Sequence, residues 1–186
     1  THHDLAVVDF RMAVERSVDG LPDIALSQWI SESKFRTNPD RIEYTFKGNN
    51  GRLQSKTKGV CPDGFFCLID EKRKREGNLH KACFLLEVDM ATHDNPSFGI
   101  EKAAAGAAYI QSDAYRQRFG GNAGRWLIVT TSEVRMKNLM RQAKQRVERF
   151  SHLFFFTTLD HISNGDILSD PIWWQVNGSK PASLLT

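Results

Sequence analysis

The 186-residue sequence has no apolar run approaching the ~18 residues that cross a bilayer, so no membrane partner is expected. Its three cysteines, Cys61, Cys67 and Cys83, are odd in number and lack a C-x-x-C spacing, so neither a disulfide framework nor a zinc ribbon is indicated. Cys67 and Cys83 lie inside apolar runs and are expected as small core residues. Such cysteine usage points to a reducing, intracellular compartment and a cytoplasmic protein. An excess of one charge is missing too: Lys and Arg number 25 against 22 Asp and Glu, a net charge of +3. The balance alone demands no nucleic-acid partner, although a pI near 8.8 permits one. The six histidines show no H-E-x-x-H spacing. Gly120, Gly121 and Gly124 fall between a helix and a strand, the reverse of the order a phosphate cradle needs. There is no internal repeat, and no cleavable signal follows Thr1, as expected of a processed protein or a fragment of a longer one.

What is present is the composition of an ordinary globular protein, 40% hydrophobic and 25% charged, of a size that makes one core. Leu5, Val8 and Met12 recur at helical spacing over residues 4–18, and Gly20-Leu21-Pro22 ends that helix. A strand-like stretch at 24–32 follows. Alternation over 42–46, a turn at Gly48-Asn49-Asn50-Gly51 and a return strand over 52–57 predict a hairpin. Two buried strands, 65–69 and 82–88, flank a charged turn from Glu71 to Asn78. Asn95-Pro96 signals the start of a helix expected over 97–118, whose Ala-rich part suits close packing on a sheet. A strand at 125–131 and a helix capped by Ser132 follow, with Met136, Leu139, Met140, Ala143 and Val147 as its apolar face. A strand at 152–158 completes the series, and the segment 166–186 is expected to pack on the core without regular structure. The sum is an α/β protein with a mixed sheet and helices on its faces, residues 1–165 forming the domain and 37–60 an inserted hairpin.

Three acidic residues carry the chemical signal. Asp63 lies in Pro62-Asp63-Gly64 at the entrance to one buried strand. Glu87 and Asp89 end the other, and period-two geometry puts them on one face. Carboxylates on an apolar strand are costly unless something positive meets them. If the two strands pair, Asp63 approaches Glu87, and such hard oxygens suit Mg²⁺ or Mn²⁺. A divalent ion there would polarise a phosphodiester and activate water. Lys102, early in the following helix, is the candidate for stabilising the charged phosphoryl transition state, with Lys81 second.

Pro62-Asp63 followed by Glu87-Val88-Asp89, within a helix–three strands–helix–strand order, resembles the PD-(D/E)XK restriction-endonuclease-like superfamily. More narrowly, the chain resembles the replication-relaxation family of plasmid and mobile-element proteins, to which a class of conjugative relaxases is related. The likeness rests on His3-Asp4-Leu5-Ala6-Val7 with Asp9-Phe10, Trp29 with Glu32, and Pro62-Asp63-Gly64. It continues in Phe84-Leu85-Leu86-Glu87-Val88-Asp89 with Thr92, and in Lys102 with Tyr109. It implies a restriction-endonuclease-like fold and a metal-dependent DNA endonuclease or nicking domain in plasmid or mobile-element replication, relaxation or mobilisation. Asp63 and Glu87 would be metal ligands and Asp89 a third; an upstream winged-helix domain or replication and mobilisation proteins would be partners. Asp89 stands where the superfamily places lysine, so either Lys102 supplies the charge from the helix or cleavage is lost. The latter leaves a catalytically inactive DNA-binding or assembly module. Glu15 and Glu32 are further acidic candidates, both expected as ordinary exposed residues.

The densest positive patch, Lys72-Arg73-Lys74-Arg75, is a candidate grip on DNA phosphates, or else a solubilising turn. The charged side of the 133–147 helix is expected to be plain solvent surface. Tyr109 and Tyr115 raise the question of a phosphotyrosine nucleophile, though packing is the commoner role of helix tyrosines. His93 could sit near the acidic cluster, with a surface turn the simpler expectation.

Overall fold

The computed structural model describes residues 1–92 and 98–185. Asn95-Pro96, the helix start at Ser97 and His93 lie outside the described residues. A mixed five-stranded sheet forms the centre. In chain order its strands are β1 (Ile24–Ser31), β4 (Gly64–Asp70), β5 (Lys81–Val88), β6 (Arg125–Thr130) and β7 (Phe154–Thr158), and they lie side by side in that order. β1, β4 and β5 pair antiparallel; β5, β6 and β7 are parallel. The inserted hairpin, β2 (Asp40–Lys47) and β3 (Leu53–Val60), makes a separate two-stranded sheet. Helices cover both faces, which is the mixed α/β class expected of the sequence.

α1 (His2–Asp19) opens with a capping box: Thr1 Oγ1 accepts from the Asp4 amide at 3.1 Å, and the Thr1 amine donates to Asp4 Oδ2 at 3.2 Å. The helix is where the periodicity puts it, but its inward face is not. Leu5, Val8 and Met12 are exposed, and Ala6, Phe10, Ala13, Val14 and Ser17 are buried instead. Phe10 decides the rotation by packing on Trp29 and Phe66. Trp29 stacks on Phe66 at 5.2 Å and runs so close over Gly64 that a Cβ there would lie 3.0 Å from the indole. Gly64, directly after Asp63, is therefore required by the close approach.

Glu32, expected on the first strand, begins a short helix, α2 (Glu32–Thr37). The charged turn after β4 is also helical, α3 (Glu71–Arg75), because Asp70 Oδ1 accepts from the Arg73 amide at 3.0 Å and caps it. The single long helix expected over 97–118 is three pieces. Residues Phe98–Ala104 are π-helical and run into α4 (Ala105–Ile110); α5 (Asp113–Phe119) follows a break. The break has its own donors and acceptors. Ser112 Oγ caps α5 through the Tyr115 amide at 3.1 Å, and Asn122 Nδ2 donates to the orphan Ile110 carbonyl at 2.8 Å. Gly106 carries the close packing foreseen for the Ala-rich stretch: Trp126 Nε1 donates to its carbonyl at 3.0 Å.

α6 (Glu133–Val147) buries Met136, Leu139, Ala143 and Val147 as expected, with Met140 partly buried. A 3₁₀ turn, Glu148–Leu153, delays β7 to Phe154, and α7 (Leu159–Asn164) was not foreseen. The last segment is tied to the sheet by a bridge from Trp174 to Phe156 and to itself by one from Trp173 to Ala182, with Trp173 fully buried.

Candidate functional site

Antiparallel pairing brings the start of β4 and the end of β5 to one edge of the sheet, where the chain places its acidic residues. Gly64 pairs with Leu86, and the Asp63 amide also donates to the Leu86 carbonyl at 2.9 Å. Asp63 stands just before the first paired residue, and its side chain turns along the ladder. Asp63 Oδ2 then accepts from the Val88 amide at 2.7 Å, so a side chain supplies the rung that β4 no longer can. The same oxygen lies 3.1 Å from His3 Nε2, in the first turn of α1.

Glu87 reaches the same space from the neighbouring strand. Its Oε1 is 3.0 Å from Lys102 Nζ, the Glu87 side chain being 13% exposed. The spacing expected to bring Lys102 to Glu87 does so, and the irregular winding of Phe98–Ala104 is what aims the lysine. His3, Glu32, Lys58, Asp63, Glu87 and Lys102 all line one cleft of about 570 Å³. Among the described residues, Asp63 Oδ1 and Glu87 Oε2 accept no hydrogen bond.

The electrostatics are those of a negative site with too little compensation. Burial raises Glu87 to about 7; Lys102 opposes that rise, and the Asp63 charge adds to it. Burial raises Asp63 as well, against the pull of the Val88 amide and His3. Burial works against the charged form of Lys102, but Glu87 outweighs it and its pKa is raised. In His3 the partner Asp63 likewise outweighs burial, and the imidazolium is favoured. Lys58 is lowered by burial and by the charge of Lys102.

Asp89 does something else. It stands just past the end of β5, where Arg135 Nε donates to Oδ2 at 2.9 Å and its other arm to Oδ1 at 3.1 Å. Thr130 Oγ1 adds a bond to Oδ2 at 2.7 Å. Both oxygens are held by a guanidinium fork, and the residue is 9% exposed. The third ligand position expected of Asp89 is thus taken by an internal ion pair. Among the described residues no group of three or more His, Cys, Asp and Glu has metal-holding geometry. Two carboxylates facing an open cleft nevertheless fit Mg²⁺ or Mn²⁺, which take one or two protein carboxylates and complete their shells with water and phosphate oxygens.

Other expected residues lie elsewhere. Glu15 pairs with Arg11 on the exposed side of α1 at 3.0 Å. Lys81 begins β5, at the end away from Glu87. The basic segment Lys72-Arg73-Lys74-Arg75 is beyond the far end of β4, about 20 Å from Asp63 at strand rise. Arg73 and Arg75 there lie 3.6 Å from Asp70 and Asp23. Tyr109 is fully buried and donates to Asp40 Oδ2 at 2.5 Å, and Tyr115 donates to the Ala123 carbonyl at 2.9 Å. Burial raises both phenols, so neither is poised as a nucleophile.

Two cationic residues of the cleft, His3 and Lys58, had no role assigned from sequence. His3 stood only as part of a longer resemblance. Lys58 comes from the inserted hairpin: its Nζ donates to the Glu101 backbone carbonyl and sits 3.8 Å from Glu101 Oε2. Glu32 is at the cleft wall, with Arg36 on its carboxylate. Its signal was available, since β1 pairs with β4 and must end where β4 begins.

Comparison with known proteins finds no match: no protein-family model, no curated protein and no solved structure matches the chain.

Proposed function

We propose that the cleft is the site of a Mg²⁺- or Mn²⁺-dependent endodeoxyribonuclease or nicking domain, acting in the replication, relaxation or mobilisation of plasmids or mobile elements. The observation that carries this reading is the 3.0 Å pair of Lys102 and Glu87 beside Asp63. Two carboxylates from adjacent strands and one cation from the next helix are the groups that phosphodiester hydrolysis needs. Asp63 and Glu87 would hold the divalent ion. When bound, that ion polarises the phosphate and lowers the pKa of a coordinated water. Lys102 places its ammonium where charge grows on the phosphoryl oxygens. Lys58 adds a second cation in the same wall, and His3 fixes the Asp63 carboxylate. The resemblance to the replication-relaxation family supports the biological setting.

A second reading has an observation of its own. Asp89, in the place of the superfamily lysine, is committed to Arg135, which suits a nuclease-like DNA-binding or assembly module that no longer cleaves. Supercoiled plasmid incubated with Mg²⁺ or Mn²⁺ separates the two. Metal-dependent nicking by the parent that Glu87→Ala abolishes supports the first. DNA binding without cleavage, unchanged by Glu87→Ala, supports the second.

A further inference from the structure

β4 and β5 carry a second chemical feature on the same ladder, away from the cleft. Cys67 and Cys83 are directly opposite one another in the antiparallel pairing. The Asp70 amide donates to the His80 carbonyl at 2.8 Å, which makes residues 70 and 80 a hydrogen-bonded rung. Rungs alternate along an antiparallel ladder, so Cys67 and Cys83 form a non-hydrogen-bonded pair, the closer of the two kinds, with Cα atoms ~4.5 Å apart. That separation lies within the range a disulfide spans, about 4.4–6.8 Å. Both thiols point to the same side of the sheet, against the same apolar cluster, and both are free. Cys67 is buried, 1% exposed, and Cys83 is half-buried.

We propose that Cys67 and Cys83 are a redox-active dithiol site, whose substrate class is a small organic disulfide. The roles follow from access: Cys83 is half-buried, whereas Cys67 is 1% exposed. Cys83 is therefore the attacking thiolate and Cys67 the resolving thiol. The Cys83 thiolate attacks one sulfur of RSSR, forming Cys83–S–S–R and releasing RS⁻. Cys67 gives up its proton and attacks the Cys83 sulfur, forming the Cys67–Cys83 bond and expelling the second RS⁻. The protein loses two hydrogens and two electrons, RSSR gains them, and two RSH result. Cys61 has no part, since it lies outside the β4–β5 pairing that sets Cys67 opposite Cys83.

The test uses the full chain, fully reduced, freed of reductant and exposed to oxidised glutathione under native conditions, then alkylated and peptide-mapped. The expected product joins the Cys67 and Cys83 peptides, carries no glutathione, and leaves Cys61 alkylated. Cys83 is expected to react on the order of tenfold faster than Cys61. Cys67→Ser is expected to stop at a glutathione adduct on Cys83. A lasting adduct on Cys83 of the parent, a cross-link through Cys61, or full alkylation of both cysteines overturns the assignment. The parent's peptide map decides this alone if Cys67→Ser does not fold. No outcome depends on nuclease activity.

Discussion

Glu87 and Asp89 are two residues apart, one inside the end of β5 and one just past it, and end in opposite circumstances. Asp89 has a bidentate guanidinium and a threonine hydroxyl on its two oxygens. Glu87 has one lysine and a like-charged neighbour, and its carboxyl rises from the usual 4.5 to about 7. A saturated carboxylate holds elements together; an unsaturated one in a cleft is a place for something positive to bind. The difference separates an acid whose oxygens are filled within the fold from one left open to the cleft, where the sequence pattern makes them look alike.

Exchanging the two acids tests the contrast most strongly. Glu87→Ala is expected to lower metal-dependent nicking by about a thousandfold with little change in Tm, as loss of charge handling at a reacting phosphate does. Asp89→Ala is expected to cost about 3 kcal/mol in chemical denaturation, because the largely buried ion pair with Arg135 and the Thr130 bond are lost. If Asp89→Ala abolishes nicking at unchanged stability, the assignment of roles is reversed. Lys102→Ala should cost roughly a hundredfold in nicking rate.

Proton linkage sharpens the comparison at lower amplitude. Glu87 and Asp63 have folded-state values above their unfolded ones, so the folded protein binds more protons in that window. The Glu87 contribution to stability falls as pH rises from about 4.5 toward 7, and that of Asp63 falls as pH rises above its usual 3.8. His3, raised in the folded state, contributes below its usual 6.5 and loses that as pH rises through its folded value. All three shifts have one sign, and a divalent ion opposes them by binding the ionised carboxylates. Mg²⁺ is therefore expected to raise Tm more at pH 8 than at pH 6 in the parent, and by the same small amount at both in Glu87→Ala. An equal rise at both pH values in the parent would remove the carboxylates as ligands.

The smallest effects come from cations outside the central pair. Lys58→Ala should weaken DNA binding a few-fold and reduce its salt dependence by about one counterion. Arg73→Ala with Arg75→Ala should leave both nicking and cleft binding unchanged. A large loss there, in a nicking or filter-binding assay, would mean that nucleic acid runs along the sheet to its far end.

Legibility follows the range of the forces involved. β4, β5, β6 and α6 were plain in the sequence, since each rests on apolar periodicity within a few residues. Asp63, Glu87 and Lys102 were found because strand pairing and one helix turn suffice to bring them together. The Asp89 ion pair depends on Arg135, 46 residues later, so no local pattern shows that its oxygens are filled. The inward face of α1 was misassigned because Leu5, Val8 and Met12 outweigh Ala6 and Ala13 in hydrophobicity, while Phe10 fixes the docking. Lys58 had no signal at all: its position depends on how the inserted hairpin packs against the winding at Glu101. The split at Ser112 needed Asn122 from the following loop.

The first turn of α1 is itself a wall of the cleft, whereas Leu184 and Leu185 lie against Ile24 and Arg73 at the other end of the sheet. A segment joined ahead of Thr1 is therefore delivered beside the pocket, and one joined after the last described residue to the far end of the sheet.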